Sequence, residues 1–168
     1  AWSSELDRQV EIEKELVRPL LKGDDVHKYQ KLETDKCVVF PYKLIKKNDK
    51  ESADLIPEED IKKNYPKGYN YLKECENILR KREKGRFNIN GEWFQFSRKQ
   101  GITNVTQPKL IQPDISLGCN LSYDTKGEFY MTTTLYGYIK RESVKESYKF
   151  YLALLNSQLL WWYLTKTG

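Results

Sequence analysis

The hydrophobic pattern of this chain changes period near Trp93, and neither an all-helical nor an all-strand fold accommodates the change. From Trp93 onward, short runs of β-formers (Trp93–Phe96, Lys109–Gln112, Asn120–Tyr123, Phe129–Thr133 and Leu135–Ile139) are separated by Gly, Pro, Asp and Asn. Asp124-Thr-Lys-Gly127 reads as the turn of a hairpin.

Upstream the spacing is mostly helical. Val10, Ile12, Leu16, Val17, Leu20 and Leu21 predict a helix that ends or bends at Pro19. Lys22-Gly-Asp-Asp25 follows as a turn, with Gly23 as the stop and Asp24 or Asp25 as the next cap. Lys36 to Tyr42 predicts a strand ending at Pro41, and Lys46 to Ser52 a charged loop. Pro57-Glu-Glu-Asp60 opens a helix that stops near Tyr65, because Pro66 disfavours α geometry in its predecessor. A second helix runs from Pro66 to Glu83, its stripe Tyr69, Leu72, Cys75, Ile78 and Leu79, with Gly85 as the exit. One last helix, Val144 to Leu164, carries Tyr148, Tyr151, Leu152, Leu155, Leu159 and Trp162 on one face. The order predicts an α+β single domain, with a mixed or antiparallel sheet of several strands flanked by helices.

At 168 residues the chain can bury enough surface to fold without disulfides or a structural metal. Twelve Tyr, six Phe and four Trp are too many aromatics for a disordered tail. Cys37, Cys75 and Cys119 are odd in number and far apart, which favours a reduced, cytoplasmic protein with at least two of the thiols buried. With a single histidine, they make no metal site. The longest apolar stretch, Phe150 to Leu164, is interrupted by Asn156-Ser-Gln158 and is too short for a membrane span, so no membrane partner is expected.

Catalytic groupings are not legible. The sequence has no glycine-rich phosphate loop after a strand, no paired-histidine motif and no Gly-x-Ser-x-Gly elbow. His27 reads as an exposed turn residue, and Glu58-Glu-Asp60 as helix capping. No catalytic residue, metal or cofactor is therefore assigned to this chain.

Nucleic-acid binding has more support. From Lys62 to Arg86, nine Lys or Arg residues face only Glu74, Glu76 and Glu83, an excess larger than the +5 net charge of the whole chain. Phosphate contacts need such a surface; a solvated helix face whose cations offset the dipole is the alternative. Arg98-Lys-Gln100 places a side chain suited to guanine beside one suited to adenine, in a loop after the expected strand. Thr134 and Tyr136 offer hydroxyls at a strand end, where β propensity alone is the competing explanation.

Seven segments occur in a telling order: Leu16-Val-Arg-Pro-Leu-Leu-Lys-Gly-Asp-Asp-Val-His-Lys-Tyr29, Val39-Phe-Pro-Tyr42, Tyr65-Pro-Lys-Gly-Tyr-Asn-Tyr-Leu72, Trp93-Phe-Gln-Phe-Ser-Arg98, Pro108-Lys-Leu-Ile111, Thr133-Thr-Leu-Tyr-Gly137 and Leu152-Ala-Leu-Leu-Asn-Ser157. The series resembles the TaqI-like C-terminal specificity domain of adenine-specific DNA methyltransferases and bifunctional restriction-modification enzymes, from about Leu16 to Trp162. The resemblance implies a non-catalytic target recognition domain, residues 1–168, following a methyltransferase domain that uses S-adenosylmethionine. Its partners would be double-stranded DNA and that methyltransferase domain. The catalytic Asn/Asp-Pro-Pro-Tyr/Phe motif is absent, and Phe40-Pro-Tyr42 matches it only in part. The missing initial Met and the stop after Gly168 fit a piece of a longer chain.

Residue chemistry within these segments assigns phosphate contacts to Lys22, Lys28, Lys81, Arg82, Lys84 and Arg86, four of them in the basic helical segment 57–86. It assigns base reading to Arg98, Lys99, Gln100, Thr134 and Tyr136. A protein-interaction module docking through the aromatic C-terminal helix is the alternative function.

Overall fold

Two compact units share the chain in the computed structural model, which describes residues 1–47, 50–99 and 101–167. The first comprises Ala1–Arg18 and Cys37–Thr103, the second Pro19–Lys36 and Asn104–Gly168. The class is α+β, as expected, but the strands form sheets of only two or three members.

In the first unit, β1 (Trp2–Ser3) and β2 (Arg8–Gln9) make a short antiparallel pair. The expected helix over Val10–Leu21 does not form. Lys14–Leu16 is a single 3-10 turn, and Val17–Leu21 is extended as β3. Pro19 explains part of this, since it removes an amide from the helical ladder. The rest follows from Glu13, whose carboxylate accepts from the Lys67 and Gly68 amides at 2.9 and 2.8 Å. Those amides lie at the start of the helix that begins at Pro66, where such donors have no partner inside the helix. Burial pushes the Glu13 carboxyl up, but the two amides outweigh it and hold its pKa below the usual value. Gly68 is also required for packing: a Cβ there would stand 2.3 Å from Leu16 Cδ2.

β4 (Cys37–Val39) stops at Phe40-Pro41, and Tyr42 starts β5 (Tyr42–Lys47). β5 pairs with β6 (Lys50–Leu55) in a regular antiparallel register, Lys46 opposite Glu51. The charged Lys46–Ser52 segment expected to be a loop is thus largely strand, because a hairpin open to solvent tolerates polar residues when opposite charges face each other. α1 (Glu58–Asn64) begins after Pro57 and α2 (Pro66–Glu74) at Pro66, as the sequence predicts. The long helix to Glu83 is broken at Cys75. α3 (Glu76–Gly85) follows, and its residues Arg82, Glu83 and Lys84 have non-helical backbones. Leu16, Ile56, Ile61, Leu72, Trp93 and Phe94 form the core of this unit.

Trp93–Phe96 is no strand. Trp93 and Phe94 lie in a turn and Gln95 at a bend, all three buried. Side chains satisfy the backbone there instead: Arg82 donates to the Trp93 and Gln95 carbonyls, and the Tyr42 hydroxyl accepts from the Phe96 amide at 2.6 Å.

In the second unit, the end of β3 pairs in parallel with β9 (Tyr130–Met131), Leu20 opposite Tyr130. β7 (Lys109–Pro113) is the central strand of an antiparallel sheet, between β10 (Leu135–Tyr138) and β8 (Ser122–Asp124). Leu21, Val26, Leu32, Ile111 and Leu135 form its core. Asp124–Gly127 does not close a hairpin, since β8 and β9 lie in different sheets. Asp124 accepts from the Gly127, Glu128 and Phe129 amides instead, and so folds the loop back on itself. Its other role is an ion pair with Lys109, 2.7 Å long, in which both side chains are almost wholly buried. Lys109 Nζ also donates to the Val105 carbonyl at 3.0 Å.

The expected single C-terminal helix is two. α4 (Tyr148–Leu155) is capped by Ser147, and α5 (Gln158–Thr167) by the Ser157 hydroxyl, which accepts from the Leu160 amide. Asn156 lies between them, buried. Tyr148 stacks on Tyr123 at 5.0 Å and donates to the Pro108 carbonyl, which docks α4 on the sheet. Of the thiols, only Cys75 is buried; Cys119 is half-buried and Cys37 exposed, so the expectation of two buried thiols is corrected.

Candidate nucleic-acid interface

Much of the basic stretch Lys62–Arg86 is already engaged. Lys67 pairs with Glu11 at 2.6 Å, while Lys73 and Arg80 both pair with Glu76. Lys62, Lys63, Lys81 and Lys84 are exposed and have no partner among the described residues. Arg86 is mostly exposed and pairs loosely with Glu83 at 3.1 Å.

Arg82 differs from its neighbours. Its Nε donates to the Leu79 carbonyl at 2.9 Å, and Nη2 to the Trp93 and Gln95 carbonyls at 3.0 and 2.9 Å. The guanidinium lies 4.8 Å from the Phe87 ring centroid. Burial lowers its pKa from the usual arginine value, with Tyr42 and Glu83 pulling the other way. Leu79 O is one of the carbonyls a helix leaves unpaired at its end. Arg82 therefore joins the end of α3 to the buried 93–95 turn, and Arg98 and Lys99 emerge three residues after that turn.

Arg98 and Lys99 are exposed, with Lys99 Nζ 6.0 Å from the centre of the Tyr42 ring. Gln100 lies outside the described residues. The first unit thus brings together Lys81, Lys84 and Arg86 near the end of α3, and ties that end through Arg82 to the segment leading to Arg98.

The second unit holds the other four. Thr134 Oγ1 accepts from the Gly23 amide at 3.1 Å and shares a hydrogen bond with Thr132 Oγ1 at 2.7 Å, so exposed Lys22 adjoins Thr134. Tyr136 stands two residues along β10, about half exposed. A hydrogen bond with Asp114 raises the Tyr136 phenol above its usual pKa and keeps it a hydroxyl. Lys28 is exposed beside Tyr29, 5.5 Å from its ring centroid, and no contact draws it to Thr134 or Tyr136. His27 is exposed, and its carbonyl accepts from the Ser122 hydroxyl.

Two residues of this face were not singled out from the sequence. Gln112 is directly opposite Tyr136 in the β7–β10 register, and Tyr138 donates to Gln112 Oε1 at 3.2 Å. The alternation of Tyr136, Gly137 and Tyr138 was legible, but the register that brings Gln112 beside them was not.

Among the described residues, no group of three or more His, Cys, Asp or Glu side chains is placed to hold a metal ion, and no helix is long and apolar enough to cross a membrane. The sequence model of one family, the TaqI-like C-terminal specificity domain, matches residues 18–168. No curated protein matches the chain.

Proposed function

Because the chain belongs to the family of TaqI-like C-terminal specificity domains, we propose that it is the DNA target recognition domain of a prokaryotic adenine-specific DNA methyltransferase or bifunctional restriction-modification enzyme. The observation that carries the reading is that match, which takes in the whole second unit and the first unit from Arg18 onward. In this reading the domain is non-catalytic and cytoplasmic, and binds double-stranded DNA. Methyl transfer from S-adenosylmethionine belongs to the methyltransferase domain of the parent chain.

Lys22, Lys28, Lys81, Lys84 and Arg86 hold phosphates, where exposed ammonium and guanidinium groups displace condensed counterions. Arg82 serves as a positioning residue, since its Nε and Nη2 are committed to carbonyls. Arg98, Lys99, Gln100, Thr134 and Tyr136 read base edges.

The test is binding of the 168-residue chain to a mixed duplex library across a salt series. The reading expects enrichment of one sequence motif and a log–log salt slope of about −0.9 per phosphate contact. Absence of any motif would overturn it.

A second reading, a protein-docking module, is favoured by one observation. Leu159, Trp161, Trp162, Tyr163 and Leu164 of α5 are all 40% or more exposed. It expects DNA binding to be absent, and the same library separates the two.

A further inference from the structure

We infer that Gln112 is a specificity-determining residue that reads adenine in the major groove, and that Tyr138 positions it; this deepens the reading of the chain as a DNA recognition domain and rests on it. β10 is the edge strand of a three-stranded sheet; β8 pairs with Lys109–Ile111, so at Gln112 and Pro113 the sheet narrows to the antiparallel β7–β10 pair, whose faces differ. Leu135 and Ile111 point into the core, and Gly137 packs on Met131, where a Cβ would stand 2.7 Å from its Cε. Tyr136, Tyr138 and Gln112 occupy the opposite face, with the two tyrosines about half exposed. Leu110, opposite Tyr138 on that same face, is buried, so the accessible part of the face is Tyr136, Tyr138 and the half-buried Gln112.

The hydrogen bond sets the amide. Tyr138 Oη donates to Gln112 Oε1, so the carbonyl end is fixed and one lone pair stays open. Nε2 has no partner among the described residues and keeps both donors. One open acceptor beside free donors is the pattern adenine requires: Oε1 accepts a hydrogen bond from N6–H, and Nε2–H donates one to N7. A free glutamine would lose side-chain entropy on forming this pair, and the Tyr138 contact removes part of that loss before DNA arrives.

Size and charge also fit a duplex. Leu135 to Tyr138 spans about 10 Å at ~3.3 Å per residue, against a major groove about 12 Å wide. Exposed Lys22 adjoins the Thr134 end through the Gly23–Thr134 bond, and exposed Arg141 follows the other end by three residues. Cations at both ends suit a strand lying between two phosphate backbones, and the Asp114 carboxylate between them is engaged by the Tyr136 hydroxyl.

The experiment uses the 168-residue chain and a duplex library with ten randomised base pairs, sequenced before and after binding. Wild-type protein is expected to enrich a motif containing an A·T pair that depends on Gln112. Gln112→Ala should lower the preference at that one pair by about 5- to 150-fold and leave the other positions and the salt slope unchanged. Gln112→Glu should shift the same position towards cytosine, whose N4 donates to a carboxylate. Tyr138→Phe, which removes only the hydroxyl, should weaken the preference at that position alone. Should the alanine variant not fold, the glutamate variant, which keeps the length and the acceptor for Tyr138, carries the test. A motif unchanged in these variants, or a loss equal on all sequences, overturns the inference while the DNA-recognition reading stands. Failure of wild-type protein to enrich any motif overturns both.

Discussion

The side-chain amide of Asn156 pairs with the backbone of Leu121 as a neighbouring strand would: Nδ2 donates to the Leu121 carbonyl at 2.8 Å, and Oδ1 accepts from its amide at 2.9 Å. Both residues are buried. Asn156 has left helical geometry, and its own amide still bonds back to the Leu152 carbonyl. One side chain therefore ends α4 and fastens it to the segment entering β8.

Asn156→Ala should leave the Leu121 amide buried without a partner, while the Leu121 carbonyl keeps the Tyr29 amide at 3.1 Å. The expected loss is about 1–3 kcal/mol, the cost of one unsatisfied buried group. Urea unfolding with an unchanged m-value would measure it. A change below ~0.5 kcal/mol would mean that water replaces the amide.

Lys109 and Asp124 make a different kind of pair. Removing one partner strands a charge, which costs about 3–5 kcal/mol, whereas removing both costs less. Lys109→Met should thus be strongly destabilising, and adding Asp124→Asn should recover part of the loss because the asparagine carries no charge. A double-mutant cycle by urea unfolding gives the coupling. Strict additivity would show that the pair contributes through its separate bonds to the loops.

Arg82 and Arg86, four residues apart, should behave in opposite ways. Arg82→Lys loses the planar fork that reaches three carbonyls, so it should lower stability by about 1–3 kcal/mol despite keeping the charge. Arg86→Ala should change stability by no more than about 0.5 kcal/mol. On DNA, Arg86→Ala should reduce the magnitude of the salt slope by about one and weaken all sequences alike. Thermal melts and binding at four salt concentrations check both, and equal stability losses in the two variants would refute the division of roles.

Glu13 makes stability depend on pH. Its folded-state pKa lies below the ordinary 4.5, so the carboxylate contributes stability that is present above that value and is lost as pH falls through the depressed folded-state pKa. Glu13→Gln should be less stable than wild type at neutral pH, and the gap should close on the acid side of 4.5. Unfolding curves between neutral and acid pH test this; a gap constant throughout would assign the effect to shape rather than charge.

The start of α1 was legible because Pro57 and three acids act within one turn, and the start of α2 because Pro66 restricts Tyr65 locally. β7 and β10 were legible because each alternates or runs apolar between turn residues. The N-terminal helix was misread for a non-local reason. Glu13, Leu16 and Gly68 meet only after the chain has folded back over some fifty residues, and that contact outweighs the spacing of Val10 to Leu21. Trp93–Phe96 was misread as a strand because Arg82 and Tyr42 satisfy its backbone from a distance.

The candidate interface divides along the same line. Residue types alone identified Lys84, Arg86, Arg98 and Tyr136 as groups able to meet DNA, since charge and hydrogen-bonding capacity travel with the side chain. Sequence also determined the α+β class and the family, because both rest on local pattern and ordered segments. Only the tertiary structure decided which cations are free: Arg82 looks like Arg86 in sequence and is spent on carbonyls in the fold. It alone put Gln112 opposite Tyr136 and under the Tyr138 hydroxyl. Strand register depends on which chains meet, and a shift of one residue would have turned Gln112 to the other face.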